Sequence, residues 1–110
     1  MPKLNIDGYD FIGPIKIGRD ELPTEPAVAV VAAEAGEGIL IMSVLESDNI
    51  ARAVAESEWN DCWKKNSVRG VDVYLQLNSD KSQRAMIRER IRDKRRDSLR
   101  CEDFRVSDFE

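Results

Sequence analysis

Two apolar runs joined by a short glycine-containing loop constrain the fold of this chain more than any other feature. The first run covers residues 27–33, the second covers residues 39–45, and Gly36 and Gly38 lie between them. β-Branched residues favour strands, and glycines allow the positive φ angles of a hairpin turn. The sequence therefore predicts an antiparallel hairpin. Because both runs are almost continuously apolar, we expect helices to cover the sheet on both faces.

The hydrophobic period changes after residue 45. Ser47 or Asp48 can cap a helix that extends to about Asn66, and its apolar stripes predict a bend or a restart near Trp59. Residues 71–77 alternate between apolar and polar, which predicts a third strand with one buried face. Residues 78–80 offer an N-cap to a second helix over about residues 81–99.

This order predicts an α/β (α+β) fold, with a three-stranded antiparallel sheet flanked by helices in the order ββαβα. A chain of 110 residues fits one domain. We expect an irregular extension over residues 1–21, a core over residues 22–99 and an acidic tail over residues 100–110. Closely spaced glycines and prolines make residues 1–26 irregular, with at most a short edge strand in residues 11–17. Phe104 and Phe109 either fray with the tail or anchor it.

Several classes of protein are excluded or disfavoured by composition. The chain has no histidine, which excludes an imidazole metal site, a histidine-activated nucleophile and a histidine general base. No apolar stretch approaches the ~20 residues of a membrane helix, and the N-terminus has no export signal. We therefore expect a cytoplasmic protein without a membrane partner. In that compartment Cys62 and Cys101, 39 positions apart, are expected to be free thiols.

The charge is distributed unevenly along the chain. Residues 1–61 carry 12 acids and 4 bases, whereas residues 62–110 carry 13 bases and 9 acids. Seven bases lie within residues 84–96, against two acids: Arg84, Arg88, Arg90, Arg92, Lys94, Arg95 and Arg96. Such a helix either binds phosphates or an acidic protein surface, or is a solvated face neutralised within the molecule. Glu102 and the other tail acids compete for the same arginines.

Two tryptophans give a second candidate for binding. Trp59 and Trp63 are four residues apart, so they lie on one side of a helix. Large rings are natural core fillers in a small domain, whereas exposed rings would anchor a partner or stack on bases. Burial alone separates these two interpretations.

Residues 22–95 resemble the GIY-YIG nuclease superfamily, in a small stand-alone prokaryotic branch. The resemblance is carried by residues 22–29, by Val44-Leu45-Glu46-Ser47-Asp48-Asn49-Ile50, by Asp61-Cys62-Trp63 and by residues 84–92 as the terminal helix. The most specific part is Val-x-Glu-Ser-x-Asn-Ile followed by Cys-Trp about a dozen residues later. The resemblance implies a nuclease-like fold and, in active members, magnesium-dependent cleavage of nucleic acid.

The same resemblance implies that the catalytic residues have been lost. The positions of the family's two tyrosines and of a nearby glycine correspond to Ala29, Ser43 and Leu45. Its phosphate-binding arginine corresponds to Ala53, beside Arg52, and its metal-binding carboxylate corresponds to Arg88, beside Glu89. Arginine in place of that carboxylate reverses the charge of the site, so no metal or other cofactor is expected.

Three functions remain open at this stage. The first is a non-cleaving module that binds DNA, RNA or a protein through Arg84, Arg88, Arg92, Arg95 and Arg96, with Trp59 and Trp63 as anchors. The second is a divergent nuclease that uses Arg52, Glu89 and Mg²⁺. The third is a structural module that forms a homodimer through exposed sheet or helix surface.

Overall fold

The computed structural model describes residues 3–102, which form an α+β domain around one antiparallel sheet. Its elements, in chain order, are β1 (Lys3–Ile6), β2 (Tyr9–Lys16), β3 (Ala27–Ala35), β4 (Gly38–Ser47), α1 (Ile50–Ala55), α2 (Asn60–Lys65), β5 (Asp72–Leu77) and α3 (Lys81–Lys94). The strands lie in the order β1-β2-β5-β3-β4. Strands β1 and β4 are therefore the two edges.

The expected three-stranded sheet in the order ββαβα is wrong, because the described part of the chain forms five strands and three helices. The two additional strands come from the region expected to be irregular, where β1 and β2 form a hairpin and β2 pairs with β5. The register of β2 shifts between Ile12 and Ile15. A Cβ atom added to Gly13 would lie 2.8 Å from the carbonyl oxygen of Val73. Gly13 therefore lets the backbones of β2 and β5 approach closely at the register shift, and it does not end the strand.

The predicted hairpin of residues 27–45 is confirmed and is longer than expected. Strands β3 and β4 extend into the loop until Ala35 pairs with Gly38, and Gly36 has a φ angle of 60° in the turn. Val31 pairs with Ser43 and Ala32 pairs with Ile41, so Met42 is an extra residue in β4. This β-bulge locally bends the edge strand.

Both faces of the sheet are covered, as the apolar runs predict. Alternate residues of β3 point into two separate clusters. The first cluster lies under α1 and α2 and includes Ala29, Val31, Met42, Ile50, Val54, Trp63, Val73 and Leu75. The second lies under α3 and includes Phe11, Val28, Val30, Ile41, Val44, Tyr74, Ile87 and Ile91. Helices α1 and α3 therefore pack on opposite faces.

Strand β5 has two buried faces, not the single one expected from its alternation. Asp72 is 2% exposed and Tyr74 is 8% exposed, because β5 lies between β2 and β3 and is covered from both sides. The Asp72 carboxylate forms an ion pair with Lys16 Nζ at 2.5 Å. Burial, together with the nearby carboxylates of Asp72 and Glu34, raises the pKa of Tyr74.

The predicted interruption near Trp59 is confirmed, because α1 ends at Ala55 and α2 begins at Asn60. The predicted cap of α1 at Ser47 or Asp48 is wrong, because the cap is Asn49, whose side chain accepts a hydrogen bond from the Arg52 amide at 3.1 Å. Asp80 caps α3 as the sequence predicts, by accepting from the amides of Ser82 and Gln83. Helix α3 ends at Lys94, earlier than expected. Over residues 3–102 no helix has the length and apolar character needed to cross a membrane.

Candidate binding surface at α3 and the edge of β4

Helix α3 lies beside the edge strand β4 and brings its arginines to it. Ile87 and Ile91, one turn apart, are buried against the sheet and fix the orientation of the helix. Arg84, Arg88 and Arg92 follow each other at intervals of four residues on the side of α3 that faces β4 and residue 102. The expected arginine row is therefore real, but it points toward the protein.

Arg84 is buried and connects the end of β4 to the start of α3 through hydrogen bonds. Its side chain is 1% exposed, and its guanidinium donates to the carboxylates of Glu46 and Asp48 and to the backbone carbonyl of Asn78. Burial works against its charge, but the hydrogen bonds to the two carboxylates outweigh this effect, so the pKa of Arg84 lies above its ordinary value. Arg84 joins the end of β4 to the start of α3 and is not accessible to a phosphate group.

Arg88 occupies the position at which the resemblance implies a lost metal ligand, and it bonds the edge of β4. Its Nε donates to the carbonyl oxygen of Val44 at 2.8 Å, and Nη2 lies 3.7 Å from the carboxylate of Glu102. The Glu102 carboxylate accepts from the Val44 amide. Two side chains, Arg88 and Glu102, therefore make the two hydrogen bonds that a neighbouring strand would make to Val44.

Glu102 is the centre of this arrangement. Its side chain is 2% exposed and also accepts from Arg92 Nε at 2.6 Å. Burial raises the pKa of Glu102, although the positive charges of Arg88 and Arg92 oppose the shift. The expected competition between the acidic tail and the arginines is thus confirmed for Glu102. The other tail residues named above, including Phe104 and Phe109, lie outside the described residues.

The remaining arginines of the predicted surface are also held by the molecule. Arg95 makes a two-pronged contact with Asp7, from Nε to Oδ2 at 2.9 Å and from Nη2 to Oδ1 at 2.8 Å. This geometry is the stronger form of an arginine–carboxylate pair. Arg92 adds a contact with Glu89 at 3.1 Å, and Arg96 is partly buried.

The tryptophans belong to the core. Trp63 belongs to α2, its side chain is fully buried in the cluster between this helix and the sheet, and its Nε1 donates to the Ser43 hydroxyl at 2.8 Å. Trp59 is partly buried and packs against the same cluster. The structure therefore supports the core interpretation for both rings.

The proposed nuclease pair is not assembled. Arg52 is exposed on α1 and pairs with Glu56 at 3.1 Å, whereas Glu89 lies on α3 and pairs with Arg88 and Arg92. Since α1 and α3 cover opposite faces of the sheet, Arg52 and Glu89 do not face one cavity. In the described part of the chain, no group of three or more acidic or cysteine side chains is placed to hold a metal ion.

The expectation of free thiols is wrong, because Cys62 and Cys101 form a disulfide with their Cα atoms 5.9 Å apart. The 39-residue separation gave no signal of this pairing. Cys62 lies on α2 and Cys101 lies beyond α3, and the fold brings both to the border of β4. The Cys101 amide donates to the carbonyl of Met42 at 2.9 Å, and the Ser43 hydroxyl donates to the carbonyl of Cys101. The disulfide thus fixes the chain that runs along this edge.

A concave region lies beside the turn between β3 and β4. It has a volume of about 400 Å³ and is lined by Glu34, Ala35, Gly36, Asn66, Val68 and Arg69. Val68 is 95% exposed, and Arg69 pairs with Glu34 at 3.3 Å. None of the candidate catalytic or binding residues lines this cleft.

No protein-family model, curated protein or solved structure matches this chain. Its function must be inferred from its own residues.

Proposed function

We propose that this chain is a non-cleaving module, related to the GIY-YIG nucleases through residues 22–95, that binds a protein partner at the outer edge of β4. The partner contributes an extended segment that adds to the sheet as a further strand. Main-chain hydrogen bonds supply affinity in such complexes, and side-chain contacts supply specificity.

The absence of cleavage is supported by the positions of the charged side chains. Phosphodiester cleavage needs positive charge at the phosphate and an oriented nucleophile in one place. Arg52 and Glu89 project from helices on opposite faces of the sheet, and each pairs with neighbouring side chains of its own helix. Neither side chain is therefore positioned to support the other.

A protein partner is favoured over DNA or RNA because four of the five arginines of the predicted surface are already bonded to carboxylates. Arg84 is enclosed, and Arg88, Arg92 and Arg95 hold Glu102 or Asp7. A hydrogen bond to a charged group contributes about 1.5–3 kcal/mol, so exchanging these partners for phosphates gains little. Nucleic-acid affinity rests mainly on cations that are free to meet phosphates.

The outer edge of β4 is the observation that carries the proposal. The other edge, β1, has four residues, whereas β4 has ten. The turn at residues 36–37 makes Ala35 and Gly38 the closing pair of the hairpin, so the backbone N–H and C=O of Ile39 point away from β3. The described residues provide no backbone hydrogen bond to this side of residues 38–41. Ile39 is also 37% exposed, which adds an apolar contact for a partner strand.

The test removes one outward-facing N–H without removing a bond to β3. Peptides selected from a random displayed library against the wild-type protein are titrated against Ile39→Pro and against Ile39→Val. Proline removes the N–H that would bond a partner strand, so we expect affinity to fall about fivefold, as for the loss of one ordinary hydrogen bond. Ile39→Val keeps the N–H and should bind like the wild type.

Selected peptides that bind Ile39→Pro and wild type equally well would contradict strand addition at this edge. A selection that yields no binding peptide would also count against the proposal. Circular dichroism of both variants establishes that the fold is retained, since proline is tolerated in edge strands.

A further inference from the structure

We propose that the Cys62–Cys101 disulfide is a thiol-controlled switch that holds residues 100–102, here called the edge segment, over the middle of β4. Reduction of the disulfide releases the edge segment and frees the Met42 carbonyl and the Val44 amide, which the edge segment bonds. This inference rests on the proposed function, because the exposed backbone extends the surface offered to the partner strand.

The edge segment takes the place of a strand beside β4. The Cys101 amide donates to the carbonyl of Met42, whose position in the β-bulge leaves that carbonyl without a ladder partner in β3. Glu102 accepts from the Val44 amide, and Arg88 donates to the Val44 carbonyl. These bonds satisfy an edge that natural proteins rarely leave open.

The position of the edge segment also decides how much of β4 is available. Strand β4 runs from Gly38 to Ser47, so residues 42–44 lie at its centre. With the edge segment in place, a partner strand has only residues 38–41 for continuous pairing. Removal of the edge segment would add the Met42 carbonyl and the Val44 amide to this stretch and would lengthen the available edge, while the Val44 carbonyl stays bonded to Arg88.

The disulfide is the only covalent bond, besides the backbone, that the described residues show between the edge segment and the rest of the domain. Helix α3 ends at Lys94, and the chain continues through turns to residue 102 without a further helix or strand. The cross-link ties this stretch to α2, which packs on the other face of the sheet. Segments with few contacts open locally at lower free energy than a sheet core does. Without the cross-link, the edge segment is held by a few hydrogen bonds and by the side chains of Cys101 and Glu102.

The accessible sulfur determines the order of the reaction. Cys62 is partly buried, whereas Cys101 is 0% exposed, so a dithiol reductant reaches Cys62 more readily. One thiolate of the reductant attacks Cys62 Sγ, the Sγ–Sγ bond breaks, and the Cys101 thiolate leaves and takes up a proton. The second thiol of the reductant then attacks the sulfur that the reductant placed in the mixed disulfide. The Cys62 thiolate is released and protonated, the dithiol becomes a disulfide, and the protein has gained two electrons and two protons.

The surroundings of the disulfide are consistent with a regulatory role. Disulfides that form in reducing compartments are usually transient or redox-sensing, whereas those of exported proteins are structural. Here the cross-link closes a 39-residue loop that contains β5 and α3. It also connects α2 to the stretch of chain that, among the described residues, covers the β4 edge.

Amide hydrogen exchange of the full chain tests the switch, with the oxidised protein compared with the protein reduced by dithiothreitol. The amides of Val44 and Cys101 should exchange about tenfold faster or more after reduction, because the edge segment that protects both amides opens locally. The amides of Val30 and Tyr74, in the central strands, should not change. The double variant Cys62→Ser/Cys101→Ser should behave like the reduced protein with and without dithiothreitol.

Two results would overturn the switch. The first is equal exchange of Val44 in the oxidised and reduced proteins. The second is a parallel acceleration at Val44, Val30 and Tyr74, which would show that the disulfide only stabilises the whole domain.

The two proposals fail in different ways. Acceleration confined to Val44 and Cys101, with no peptide bound in either redox state, would support the switch and contradict strand addition at β4. A peptide that is sensitive to Ile39→Pro and binds both redox states equally, with unchanged Val44 exchange, would support strand addition and contradict the switch. Tighter peptide binding after reduction is the result expected when both are correct.

Discussion

The helices on the two faces of the sheet are held by different kinds of contact. On one face, α1 and α2 pack aliphatic side chains and the buried ring of Trp63 against the sheet, and the Ser43 hydroxyl accepts a buried hydrogen bond from Trp63. On the other face, Ile87 and Ile91 supply the apolar contact of α3. Around them, arginines of α3 bond carboxylates and carbonyls from distant parts of the chain.

The basic residues of α3 therefore contribute to the packing of the helix on the sheet. The carboxylates that hold these arginines come from residues 7, 46, 48 and 102, which flank the helix on several sides. A cluster of basic residues in a sequence shows where the chain carries positive charge, but not which acidic groups that charge contacts. The fold decides whether that charge meets the molecule's own acids or those of a partner.

The largest expected effect belongs to the apolar face. Trp63→Ala should lower the free energy of unfolding by about 3–5 kcal/mol, because it removes a fully buried ring and leaves the Ser43 hydroxyl with one partner fewer. Chemical denaturation measures the loss, and Trp59→Ala, at a partly buried position, is the control with the smaller loss. Equal losses for both variants would mean that the two rings are not distinguished by burial.

An intermediate effect is expected at the border of α3 and β4. Arg88→Ala removes the donor to the Val44 carbonyl and one partner of Glu102, and should destabilise the protein by about 1–2 kcal/mol. Arg90→Ala removes an exposed arginine that contacts the Tyr9 hydroxyl, and should change stability by less than about 0.5 kcal/mol. The same denaturation experiment compares them. A loss in Arg90→Ala as large as that in Arg88→Ala would contradict the structural role of Arg88.

The smallest effect is the pH dependence of Glu102. Because burial raises its folded-state pKa above the unfolded value, its contribution to stability is complete below the unfolded pKa and is lost as pH rises through the folded pKa. The stability of the wild type relative to Glu102→Gln should therefore be greatest in acid and should decline toward neutral pH. Denaturation curves of both proteins across this range measure the difference. An increase toward neutral pH would mean that Arg88 and Arg92 outweigh the burial of the carboxylate.

Local patterns predicted part of the fold correctly. The β3–β4 hairpin, the interruption near Trp59 and the capping of α3 by Asp80 each follow from residues close together in sequence. The β1–β2 hairpin was missed because Gly13 and Pro14 suggested a break, whereas they lie within β2 at a register shift. A bulge of this kind is visible only when the pairing strand is known.

The candidate surface was harder to predict than the fold. The residues of the arginine row were identified, but Arg88 bonds Val44 and Glu102 across separations of 44 and 14 positions, which no local pattern encodes. The disulfide was missed for the same reason, since Cys62 and Cys101 are 39 positions apart and the packing of α3 on the sheet brings them together. Long-range pairings of this kind depend on the complete topology.

The salt dependence of nucleic-acid binding tests most directly whether the α3 arginines serve the fold or a phosphate backbone. Fluorescence anisotropy with labelled duplex DNA and RNA compares the wild type, Arg88→Ala/Arg92→Ala and the matched control Lys64→Ala/Lys65→Ala, which removes the same charge from exposed positions on α2. The structural role of the arginines predicts weak binding, of about the same affinity in both double variants, between about 50 and 200 mM salt. Tight binding with a steep salt slope, lost or flattened only in Arg88→Ala/Arg92→Ala, would contradict it.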